Sequence, residues 1–149
     1  MPHCESRTRM SISPFGFAAV ISTLLAFQIG CIGSPAQADL STEHPLESQS
    51  TRGLADAKLS LSGSALTRGN NDLVLDLTAN SGSLPPTLTN VVAIMPAHGH
   101  SSTPEAVDSS GSEYQILQLP LFMSGAWQIQ CDFTVGGSPD SVAFDVDVP

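Results

Sequence analysis

Residues 126–135 read Ala-Trp-Gln-Ile-Gln-Cys-Asp-Phe-Thr-Val. Trp127, Ile129, Cys131 and Phe133 share one parity, and Gln128, Gln130, Asp132 and Thr134 share the other. Side chains in a strand alternate with a period of two, so the stretch is a strand with one apolar and one wet face. Gly136-Gly137-Ser138-Pro139-Asp140 follows, a run of residues that turn a chain. Ser141 to Val148 then repeats the alternation, with Val142, Phe144, Val146 and Val148 inward and Asp145 and Asp147 outward. Together these residues predict a hairpin at the end of the chain.

Upstream, Asp72-Leu73-Val74-Leu75-Asp76-Leu77-Thr78 alternates in the same way, and Ala57 to Ser62 does so more weakly. Leu88 to Met95 is apolar on both faces, as in a central or doubly covered strand, and Tyr114 to Leu121 is a further candidate. Arg68-Gly69-Asn70-Asn71 and Asn80-Ser81-Gly82 supply turn chemistry between them. Six or seven short strands without a helical period predict an all-β domain, a single immunoglobulin-like antiparallel β-sandwich.

The first 38 residues have a different character. Arg7 and Arg9 precede an uncharged apolar run from Phe15 to Phe27, and Ala36-Gln37-Ala38 follows as a small-x-small cleavage pattern. The run is about 13 residues long, against about 20 for a spanning helix. Residues 1–38 therefore read as a secretory signal peptide, with no transmembrane span in the mature chain. An alternative to cleavage after Ala38 is lipidation at Cys31, since Gln28-Ile29-Gly30-Cys31 resembles a lipoprotein box, with Gln28 departing from its usual aliphatic residue. Either route places the protein outside the cytoplasm, in the periplasm or on the cell surface. Residues 39–55 are polar and aperiodic and read as a flexible tether; residues 56–149 form the domain.

After cleavage Cys131 is the sole thiol, so no internal disulfide can staple the domain, and its position on an apolar face marks it as a buried structural thiol. The chain from residue 39 carries three basic side chains (Arg52, Lys58, Arg68) against thirteen acidic ones, a formal charge of −10, and no Lys or Arg follows residue 68. Such a surface disfavours nucleic acid and anionic lipid head groups and is compatible with cations.

The candidate site is Ile94-Met95-Pro96-Ala97-His98-Gly99-His100, which holds two of the four histidines. His-x-His brings two imidazoles within reach of one ion, and Met95 and Met123 add thioethers. Imidazole with thioether suits copper, above all Cu(I). Glu105 and Asp108 in the following loop could orient the imidazoles. A structural reading competes: Met95 shares parity with Val91 and Ala93 and can be core, Pro96 ends the ladder, Gly99 permits a turn, and Met123 can also be core.

Met95-Pro96-Ala97-His98-Gly99-His100, then Gly111-Ser112-Glu113-Tyr114, then Met123-Ser124-Gly125-Ala126-Trp127 occur in an order that resembles the YtkA-like domains, small exported bacterial β-sandwich proteins. Ser124 replaces their usual proline, and Phe122 stands where many of them carry a histidine. The resemblance implies a binding or accessory role rather than catalysis, since related domains resemble accessory proteins of copper handling and cytochrome oxidase assembly.

The residues themselves also point away from an enzyme. Ser101 and Ser102 adjoin the histidines without a G-x-S-x-G elbow, and no H-E-x-x-H, C-x-x-C or phosphate-binding glycine loop occurs. The expectation is an exported non-catalytic domain. It either binds or delivers copper through His98, His100, Met95 and Met123, or is a metal-free module that docks an envelope protein partner through its histidine loop.

Overall fold

In the hairpin predicted at the chain end, Gly136 and Gly137 both take positive φ (57° and 83°), the two-residue turn that matches the twist of its flanking strands. The strands on either side run unbroken, β8 over Gly125–Val135 and β9 over Ser138–Val148, in register from Val135↔Ser138 to Gly125↔Val148. This computed structural model describes residues 40–149 apart from 42, 43, 64 and 83. The expected signal peptide at 1–38 and the lipidation candidate Cys31 lie outside the described residues.

Seven further strands precede the hairpin: β1 (Leu46–Gln49), β2 (Ala55–Leu61), β3 (Gly69–Ala79), β4 (Thr87–Met95), β5 (His100–Ser102), β6 (Ala106–Ser110) and β7 (Glu113–Leu121). They form two antiparallel sheets, ordered β1-β2-β3-β7-β6 and β5-β4-β8-β9. The described chain is all-β, and among the described residues no helix is long and apolar enough to cross a membrane. All six strands foreseen in the sequence are present.

One core joins the two sheets. From one come Leu59, Leu73, Leu75, Leu77, Ile116 and Leu121, and from the other Val91, Ala93, Trp127, Ile129, Phe133, Phe144 and Val146, all nearly or fully buried. Registers stack like with like: Leu75 lies between Leu59 and Tyr114, and Ile129 between Ala93 and Phe144. Full burial of each Val, Leu, Ile or Phe side chain among them is worth about 1.5–3 kcal/mol. Cys131 is fully buried between Val91 and Val142, and burial, reinforced by the Asp132 carboxylate, pushes its thiol up to about 12. It is a packing residue, as its parity indicated.

The expected tether needs correction. Leu46–Gln49 forms β1, pairing with β2 from Leu46↔Leu59 to Gln49↔Asp56, and Leu40 is buried in the core. Only Leu46 and the small Ser48 of β1 face inward, too weak a period to be recognised in isolation. Ala55, assigned to the tether, opens β2. β5 and β6 went unforeseen for a similar reason: they are short, polar and almost wholly exposed edge strands.

Two polar ties cross between the sheets. The Tyr114 hydroxyl donates to the Pro86 carbonyl at 2.7 Å and accepts from Leu88 N–H at 3.3 Å, fixing the entry to β4. The larger tie is Asp140, on the inward parity of β9 and only 7 % exposed. Its carboxylate accepts from Ser50 Oγ (2.6 Å), Arg52 N–H (2.9 Å), Leu54 N–H (3.2 Å) and Ser141 N–H (2.8 Å). Ser50 Oγ in turn accepts from Ala55 N–H at 3.0 Å. The β1–β2 turn is thus folded around one carboxylate of the opposite sheet.

A third polar feature shapes β7. Its pairing with β3 shifts register between Asn71 and Leu73, and Gln118 there adopts φ 54°, an uncommon left-handed conformation. Asp72 Oδ1 holds it, accepting from Gln118 N–H at 2.8 Å and Gln118 Nε2 at 3.2 Å. The bulge bends β7 before it runs through Pro120 towards the β7–β8 connection.

Burial raises the Asp140 carboxyl, but the hydrogen bonds from Ser50, Arg52, Ser141 and Leu54 outweigh it and hold the group below its ordinary range. A depressed folded value contributes stability above the unfolded value, near pH 4, that is lost as pH falls through the folded one. Asp140→Ala should therefore cost about 2–4 kcal/mol at pH 7. Urea unfolding at pH 7 and pH 3 should show a smaller acid-induced loss in the variant than in the parent; equal losses would contradict this account.

Candidate functional site

Pro96 has no N–H to continue the β4 ladder, so the strand stops at Met95. The chain then folds back within four residues. The Met95 carbonyl accepts from His98 N–H at 3.2 Å and Gly99 N–H at 2.9 Å, and Gly99 takes φ 66°. This returns His100 to pair directly with Met95 as the first residue of β5. The motif is a tight hairpin, and its proline, glycine and capped carbonyl account for its shape.

His98 and His100 are both exposed, with ring centroids 6.2 Å apart and planes inclined by 27°. Two imidazoles on one ion, each bonded through a nitrogen at about 2 Å, have centroids about 5 Å apart at a tetrahedral angle and about 6.4 Å apart in a linear pair. The observed separation matches a near-linear pair. Neither ring makes a side-chain hydrogen bond among the described residues, so Glu105 and Asp108 do not orient them here as the sequence suggested.

Met95 and Met123 separate in character. Met95 is 3 % exposed, and its Cε lies 3.3 Å from where a Cβ on Gly125 would stand. Its place is in the core, the structural of its two expected roles. Met123, in the connection between β7 and β8, is 38 % exposed. Its carbonyl accepts from Trp127 Nε1 at 2.9 Å, so the buried indole anchors the loop that presents the thioether. Phe122 beside it is 67 % exposed. Ser124 Oγ ties the same loop to the Pro149 carbonyl at 2.9 Å.

The topology brings the candidates to one end of the sandwich. Gly125 opens β8 two residues after Met123, and its open face abuts Met95, whose strand partner is His100. The spacing Met-x-Gly-x-Trp in the sequence is the signal for this: the glycine leaves room for Met95, and the tryptophan reaches back to the methionine carbonyl. Residues 94–104 and 116–131 contain no Asp, Glu, Lys or Arg, so imidazoles, thioether and phenyl ring are the chemistry these two stretches offer. Among the described residues, no three His, Cys, Asp or Glu side chains gather as a metal-binding group.

No family model matches the chain, and no curated protein or solved structure matches it either.

Gly125 takes φ 113°, a conformation strained for any L side chain, as well as facing Met95. Gly125→Ala should destabilise the protein by about 1–3 kcal/mol. It should also shift the Trp127 emission maximum, because the indole sits two residues away and holds the Met123 carbonyl. Thermal unfolding and tryptophan fluorescence check both.

Proposed function

We propose that the protein is an exported, non-catalytic binding domain of the YtkA-like kind that holds a copper ion between His98 and His100. The observation that carries this reading is the pair of exposed imidazoles 6.2 Å apart on a hairpin fixed by the Met95 carbonyl. Met123 is the accessible thioether of the same end and would complete a soft donor set suited to Cu(I). Met95 is left out of this set, because taking its sulfur to the surface would open the core at Gly125. When bound, the ion would sit at a water-facing end and could pass to a partner without the sandwich unfolding.

The immunoglobulin-like assignment belongs to the same proposal. Strands β2-β3-β7-β6 facing β5-β4-β8-β9 follow the order expected of that fold, with β4, β8 and β9 as its C, F and G strands. The anionic surface supports a cation-handling role and argues against nucleic-acid partners. The sequence of residues 1–38 supports export, with cleavage after Ala38 or lipidation at Cys31.

A second reading is favoured by the exposed Phe122. An aromatic ring 67 % exposed beside a half-exposed methionine is an anchor for an envelope protein partner that needs no metal.

Titration of the protein with Cu(I) and Cu(II) separates the two. The copper reading expects one ion bound tightly, a large loss of affinity in His98→Ala/His100→Ala, and a smaller, Cu(I)-selective loss in Met123→Leu. Binding by the double variant as tight as that of the parent would exclude the histidine site and leave the metal-free reading.

A further inference from the structure

β9 is an edge strand, paired with β8 along its full 11 residues and, among the described residues, with no strand on its other side. Its hydrogen bonds show which backbone groups face that open side. The Ser141 carbonyl accepts from Thr51 N–H at 2.8 Å and the Ser141 N–H donates to Asp140 Oδ1 at 2.8 Å, so Ser141 directs both groups away from β8. The Pro139 carbonyl does the same, accepting from Arg52 Nη1 at 2.7 Å. In an antiparallel ladder every second residue turns its N–H and C=O to the same side. Ala143, Asp145 and Asp147 therefore face outward as well.

The two halves of this edge differ. At Pro139 there is no donor, and at Ser141 both groups are satisfied. At Ala143, Asp145 and Asp147 neither the N–H nor the carbonyl has a partner on the open side among the described residues. An unpaired row of this kind is a template for another strand. The same three residues expose their side chains on the outer face of the sheet. Two of them are carboxylates, and no Lys or Arg from residue 69 onward can neutralise them. Gln128 Nε2 donates to Asp145 Oδ1 at 3.0 Å but brings no charge. A second copy of β9 would set carboxylate against carboxylate, so the edge is protected against its own kind and open to a cationic strand.

We propose that the Ala143–Asp147 half of β9 accepts an extended segment of a partner protein as a fifth strand of this sheet, and that the segment alternates Lys or Arg with apolar residues. Register sets that alternation. Partner side chains level with Asp145 and Asp147 on the outer face are the cations. Those between them lie on the side of Phe144, Val146 and Val148 and cover the apolar margin of the sandwich. Main-chain bonds would supply the binding, and the two carboxylates the choice of partner.

The probe is a fluorescein-labelled peptide, Lys-Val-Lys-Val-Lys-Val-Lys, titrated with the purified protein at low ionic strength and followed by anisotropy. Saturable binding is expected, with none for the peptide carrying Glu in place of Lys. Ala143→Pro removes an outward N–H and leaves the β8 ladder whole; it should weaken binding about tenfold, as should Asp145→Asn with Asp147→Asn. In the parent protein the amide resonances of Ala143, Asp145 and Asp147 should move on addition of peptide, a readout independent of how well the proline variant folds. Equal affinity of the parent and Ala143→Pro, or resonance changes confined to other strands, would overturn the proposal. So would a carboxamide variant that dimerises while the parent ignores the peptide, since the carboxylates would then only guard the edge.

Discussion

Trp127, Ile129, Cys131 and Phe133 on one sheet have to be covered by Leu73, Leu75 and Leu77 on the other, because neither sheet can leave such a face in water. Among the described residues no disulfide contributes: Cys131 is free, buried and held protonated by its apolar surroundings. The fold thus rests on apolar burial between two sheets, and everything polar that crosses the interface must be satisfied there. Among the described residues, no buried side-chain nitrogen or oxygen is left without a partner. Asp140 on β9, Asn71 on β3 and Ser50 after β1, the buried polar residues, each hydrogen-bond to a neighbouring turn or loop.

Asp140 shows how a polar group can be useful inside such an interface. A lone carboxylate beside the core would be costly, yet four donors converge on it from the β1–β2 turn and its own strand. The result fixes where β1 ends and β2 begins, although β1 has little apolar surface of its own. The opposite end of the sandwich is arranged differently. There the ties are neutral, Trp127 to the Met123 carbonyl and the Met95 carbonyl to the His98 and Gly99 amides, and the side chains they present are exposed. One end is closed by charge, and the other is left open to carry imidazoles and a thioether.

This division also explains why the candidate site sits where it does. Met95 and Met123 are near each other in the fold but belong to different environments, one filling the space that Gly125 leaves and one standing at the surface. The bulge at Gln118, held by Asp72, redirects β7 just before Pro120 and so helps set where Phe122 and Met123 emerge. Residues without contact to any ligand can thereby shape the end that would bind one.

The sequence by itself determined the strand class, the six longer strands and the inward parity in β3, β8 and β9, because period-two alternation is a local property that survives without knowledge of neighbours. Asp140 was not legible in this sense: in the sequence it closes the 136–140 turn, and only the structure sets it on the inward face of β9 with Val142 and Phe144. What only the tertiary structure decided were the features that depend on two distant segments meeting. β1, β5 and β6 carry almost no apolar period and become strands because β2, β4 and β7 offer them edges. Three of the four partners of Asp140 lie 86–90 residues away. Which methionine is core and which is surface turned on the space left by Gly125, a distance between strands that no spacing along the sequence can express.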